Sequence, residues 1–79
     1  MRRKTLKAVV TFASASDAMA VEAAAREAGF PGRMIPIPSE ISAGCGLAWC
    51  VPAEERDALL GALASGGLAY EEVHEAELY

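Results

Sequence analysis

Cys45 stands between two glycines in Ser42-Ala43-Gly44-Cys45-Gly46, shortly after Pro36-Ile37-Pro38. Gly44 and Gly46 remove side-chain bulk from around one thiol and permit positive φ, so backbone N–H groups can turn toward the sulfur. A thiol held in that way is reachable and favoured as the thiolate, the form that attacks. The same residues also suit a turn that carries a small buried hydrophobe, so the segment alone leaves both readings open.

Cys50 follows five positions later. Odd separation in an extended strand sends two side chains to opposite faces, so a direct bridge requires Cys45 to lie in a loop before the strand. Cys50 reads as a small buried residue, with a resolving thiol for Cys45 as the alternative. His74 is the one histidine and reads as a surface residue beside the acidic end; a Cys45–His74 dyad would need the fold to join them. Cys45, Cys50 and His74 are too few for a tetrahedral metal site and lack the usual Cys-x-x-Cys spacing, so neither a metal nor a cofactor is expected. Arg33 opens the extended segment leading toward Cys45 and can bring positive charge to a thiolate or an anionic partner. Ser39 and Ser42 can donate to a sulfur anion or simply support turns. Gly29-Phe30-Pro31-Gly32-Arg33 lacks the lysine of a phosphate loop and follows a helix, so it reads as a helix-to-strand turn.

The elements that must position these residues are legible from periodicity. Leu6 to Phe12 alternates, with Leu6, Ala8, Val10 and Phe12 on a core face and Lys7, Val9 and Thr11 on a more polar one. Ser14 or Ser16 offers an N-cap for a helix over Asp17–Ala28, with Ala18, Val21, Ala25 and Ala28 at helical spacing. Glu22 and Arg26 form an i,i+4 pair, Gly29 suits the C-terminal cap, and Pro31 forbids continuation. Arg33 to Ile37 is a short extended segment, and its prolines suit an edge. Gly46 to Val51 alternates again, with Leu47, Trp49 and Val51 on one face and Ala48 and Cys50 on the other. Pro52 suits the first turn of a second helix with a Leu59, Leu60, Leu63 stripe, stopped by Gly66 and Gly67. Leu68 to His74 reads as a last strand. The order βαββαβ predicts an α+β ferredoxin-like sandwich: a four-stranded antiparallel sheet with two helices on one face.

Seventy-nine residues form a single domain over residues 1–79, with its core about 5–75. The 53% hydrophobic content argues against disorder, and much of it is alanine, so the core should be thin. Such a small core would gain from pairing in a homodimer, with Trp49 in the core or at that interface. Net charge is −4, with Arg2, Arg3, Lys4 and Lys7 at the start and Glu71, Glu72, Glu75 and Glu77 at the end. Net acidity with five aromatics disfavours nucleic acid, and no run approaches a membrane span. Two cysteines suit a reducing, cytoplasmic compartment. The basic start and Ala18-Met19-Ala20 have features of a secretion signal, but Lys7, Thr11, Ser14, Ser16 and Asp17 interrupt the apolar stretch, and cleavage would remove a core strand.

Val9-Val10-Thr11-Phe12, Ala18-Met19, Glu22, Gly29, Ile35-Pro36-Ile37-Pro38, Ile41-Ser42 and Gly44-Cys45-Gly46-Leu47 together resemble the small bacterial selenium/sulfur carrier-like family. The resemblance covers roughly Val9 to Leu63, and Pro-x-Pro followed by Ser-x-x-Cys-Gly is its most distinctive part. It implies that Cys45 accepts a sulfur or selenium atom as a persulfide or selenopersulfide and delivers it to an acceptor. The implied partners are a sulfur- or selenium-mobilising enzyme and an acceptor protein, with the chain a carrier rather than a multiple-turnover enzyme. Relatives often carry a basic residue where this chain has Ser39, which leaves Arg33 as the local cation. Cys50 lies outside the family pattern. Two other classes remain open at this point: a regulatory or protein-interaction module in which Cys45 is structural, and a redox protein cycling a Cys45–Cys50 disulfide.

Overall fold

Seven residues make the first strand, β1 (Thr5–Thr11), buried on both faces from Ala8 to Thr11, and the remaining elements are built outward from it. The chain continues through α1 (Ala15–Ala28), β2 (Arg33–Pro36), β3 (Leu47–Pro52), α2 (Arg56–Ser65) and β4 (Glu72–Leu78). This computed structural model describes residues 3–39, 41 and 46–78. The strands form one antiparallel sheet in the order β2-β3-β1-β4, the ferredoxin-like arrangement expected from βαββαβ.

Ser14 caps α1: its Oγ accepts from the Asp17 N–H at 3.2 Å, so the helix starts at Ala15, earlier than expected. Glu22 and Arg26 pair at 3.6 Å. Gly29 ends the helix at φ 73°, a left-handed turn that glycine takes without steric cost, and its N–H reaches the Ala25 carbonyl. Ala18, Val21 and Ala25 are buried, whereas Ala28 is exposed. Pro52 closes β3 instead of opening a helix. It is paired across the sheet with Lys7 and leads into a 3-10 turn at Ala53–Glu55 before α2. Its fixed φ suits either role, and the strand pairing decides.

The last strand lies four residues later than Leu68–His74. Leu68 is spent closing α2, its N–H bonding to the Leu63 carbonyl at 2.9 Å, and its side chain packs on the core. Pairing with β1 begins at Glu72 opposite Thr11 and runs to Leu78 opposite Thr5. Thr11 Oγ1 receives the Glu72 N–H at 3.1 Å, fixing that end of the register.

Both helices pack on one face of the sheet. Ala8, Val10, Phe12, Trp49 and Val51 meet Ala18, Val21, Ala25, Leu59 and Leu63 in the main core. Trp49 is buried within this core, with its indole N–H donating to the Pro31 carbonyl at 2.8 Å. Leu6, expected on the core face, is instead 46% exposed. The opposite face is not simply polar. Val9, Ala48 and Ile41 form a second buried cluster, flanked by Ile35, Ile37, Ala76 and Leu78. Ile41 reaches that face from the segment after β2 and covers Val9, which is fully buried. Among the described residues, no helix is long and apolar enough to cross a membrane.

Candidate functional site

The β2–β3 hairpin carries the sequence on which the chemistry was expected. Its ladder runs from Arg33 opposite Cys50 to Pro36 opposite Leu47. One further bond continues it, the Ile37 N–H to the Gly46 carbonyl at 3.0 Å. Pro36 and Pro38 have no N–H to donate, so Ile37 between them supplies the closing donor. Beyond it the chain turns, with the Ile41 N–H bonding the Pro38 carbonyl at 3.0 Å and Ile41 anchored in the second cluster. Gly46 is exposed. Ser42, Gly44 and Cys45 lie outside the described residues. In the chain, Cys45 immediately precedes the pinned Gly46 and stands two positions before β3.

Alternation places Arg33, Ile35, Cys50, Ala48, Lys7 and Val9 on the sheet face away from the helices. Arg33 therefore neighbours Cys50 and sits three residues back from Pro36, about 10 Å along an extended strand. Cys50 is 4% exposed. Burial pushes its thiol above the ordinary value of 9.0, because desolvation penalises the thiolate; Lys7 and Arg33 pull in the other direction without overcoming it. A thiol in that state is a slow nucleophile at neutral pH.

An open cleft of about 470 Å³ crosses this face beside Cys50. Arg33, Ile35, Pro36 and Pro38 line it from the hairpin side, and Lys4, Glu77 and Leu78 from the paired ends of the chain. The antiparallel pairing of Thr5 with Leu78 brings the basic start and the acidic end together. His74 lies on the same face opposite Val9, and its Nε2 meets Glu72 Oε1 at 2.8 Å. Among the described residues, no three His, Cys, Asp or Glu converge as metal ligands do.

Lys7 was read from the sequence as part of the basic start and of the polar face of β1, not as a site residue, and it shares this face with Arg33. Period-two alternation does place Lys7 on the face of Val9, but only the β1–β3 register sets it beside Cys50. Ser39 is exposed after the prolines, and the cations acting on Cys50 are Lys7 and Arg33.

A family model described as "Putative Se/S carrier protein-like" matches residues 7–75. Neither the curated proteins nor the solved structures contain a significant match to this chain.

Proposed function

The chain belongs to the Se/S carrier protein-like family, and from that premise we propose that it carries a sulfur or selenium atom on Cys45. The observation that carries the reading is the family match itself, which spans Cys45 and the hairpin on both sides of it. Support comes from the Ile37–Gly46 bond, which anchors the residue next to Cys45. The open space around Gly46 also fits, since a side chain there would meet nothing among the described residues within 4 Å.

The transfer needs no outside oxidant. The Cys45 thiolate attacks the terminal sulfur of a donor persulfide, R–S–SH. A new Cys45–sulfur bond forms, the donor's S–S bond breaks, and R–S⁻ leaves and takes up a proton. An acceptor nucleophile then attacks the outer sulfur of the Cys45 persulfide, and Cys45 departs as thiolate. Selenium follows the same steps with selenium in the terminal position. Gly44 and Gly46 leave room for the donor and acceptor sulfurs, and Ser42 supplies a hydroxyl donor to the anion. Arg33 contributes positive charge from the neighbouring sheet face. The partners in this scheme are a sulfur- or selenium-mobilising enzyme and an acceptor protein, met in a reducing compartment such as the cytoplasm.

Intact-mass measurement after incubation with a cysteine desulfurase and cysteine tests the reading. The expected result is a gain of one sulfur atom, reversed by a thiol reductant, lost in Cys45→Ser and kept in Cys50→Ser. No gain in the wild-type chain, or a gain kept in Cys45→Ser, overturns it. Loss of both thiols within one chain on oxidation would instead favour the Cys45–Cys50 redox cycle.

A further inference from the structure

The two cysteines of this chain are separated by a strand that is held on both sides. β3 pairs with β2 from Arg33 to Pro36 and with β1 from Lys7 to Thr11. The Ile37 N–H to Gly46 carbonyl bond extends the β2–β3 ladder by one residue in the same register. Gly46 therefore stands at one end of an extended run with Cys50 four residues along it, about 13 Å away. Cys45 is joined to Gly46 by one peptide unit, which spans about 3.8 Å between Cα atoms. At least about 9 Å then separates the Cα atoms of Cys45 and Cys50, whichever way the chain turns before Gly46. A disulfide needs them within about 7 Å. A loop before the strand is thus not enough to join the two thiols, and β3 itself would have to leave its ladders. Trp49 ties it in place, with its indole N–H on the Pro31 carbonyl at 2.8 Å, and Ala48, Cys50 and Val51 are buried beside it.

We infer that Cys50 is not the resolving thiol of Cys45, and that an oxidised or loaded Cys45 is resolved only by a thiol of another molecule. Two steps are closed to the folded chain alone. Oxidation does not join Cys45 to Cys50. Where Cys45 carries a persulfide, a part of the inference that rests on the carrier reading, Cys50 does not attack the inner sulfur. That attack would form the Cys45–Cys50 bond, break the bond to the outer sulfur and release it as HS⁻. Burial of the Cys50 thiol and its raised value act in the same direction. The loaded chain is consumed by a bimolecular reaction instead: an external thiolate bonds the outer sulfur, and Cys45 leaves as thiolate.

The test follows the full chain by intact mass, without reductant, during oxidation by diamide, which takes two electrons and two protons from a pair of thiols. Remaining thiols are then alkylated in denaturant and counted. In native buffer the expected species are unreacted chain and pairs of chains linked through Cys45, each keeping an alkylatable Cys50. In guanidinium chloride, with no strand to hold them apart, Cys45 and Cys50 of one chain should join at least about tenfold faster than in native buffer, where β3 must first open. A smaller difference overturns the inference, and so does a native link between chains through Cys50. Sulfur loaded by a cysteine desulfurase should leave the wild-type chain and Cys50→Ala at the same rate. Faster loss from the wild type, with both thiols lost together, overturns the inference as well. Absence of loading would overturn the carrier reading and leave the diamide result to decide the reach of Cys50.

Discussion

Of the two thiols of this chain, Cys50 is the one whose surroundings the structure describes. Cys50 is held in the sheet between Arg33 and Val9, its cross-strand partners on β2 and β1. Burial outweighs the two nearby cations and keeps it protonated beyond the ordinary thiol range. Under native conditions at neutral pH, Cys50 in a Cys45→Ser background should alkylate at least tenfold more slowly than in denaturant. Time-resolved mass spectrometry reads this directly, and equal rates would contradict the burial argument. The sign of the pH effect follows from the raised value. Cys50 supports folding fully below its unfolded-state value near 9.0, and this contribution is lost as pH rises toward the folded-state value. Stability should therefore decline above about pH 9, and Cys50→Ala should flatten that decline in urea titrations at a series of pH values. The sequence marked Cys45 by its glycines and the family pattern. That Lys7 joins Arg33 beside Cys50 is not visible there, because it depends on strand pairings distant in the chain.

At the scale of elements, the turn from α1 into β2 shows why one glycine is required and another only preferred. Gly32 takes φ 96°, and a side chain there would run into the Cys50 carbonyl, Val51 Cγ1 and Trp49 Nε1. Gly29 takes φ 73° with nothing within 4 Å. Gly32→Ala should cost about 2–4 kcal/mol, combining left-handed strain with overpacking. Gly29→Ala should cost about 1 kcal/mol, from strain alone. Urea unfolding followed by Trp49 fluorescence separates them, and equal losses would show that close approach at Gly32 is unimportant. Helix α1 could be read from its caps and spacing because both are local properties. Strand β4 was expected at Leu68–His74, four residues early, since Glu72, Glu75 and Glu77 break the apolar alternation and only pairing with β1 defines its limits. Pro52 was misassigned for a related reason: its backbone suits a helix start and a strand end equally.

Across the whole molecule, the sheet is covered on both faces, by helices on one and in part by the segment after β2 on the other. Ile41 is the residue through which that segment closes on Val9 and Ala48. Ile41→Ala should cost about 2 kcal/mol and raise hydrogen exchange at the Ile37 N–H, the bond that closes the hairpin. Exchange unchanged there, with the same loss of stability, would mean that the clasp and the hairpin closure are independent. Composition and periodicity by themselves determined the βαββαβ order, the ferredoxin-like sandwich and the main helix-facing core, because period-two and helical patterns report burial directly. The Pro-x-Pro and Gly-Cys-Gly pattern likewise pointed to the family. The second apolar cluster, the end of the last strand and the placing of Lys7 and Arg33 beside a buried Cys50 were decided only by tertiary structure. Each depends on strand register and on a loop folding back over the sheet, and these are set by contacts between residues far apart in the chain.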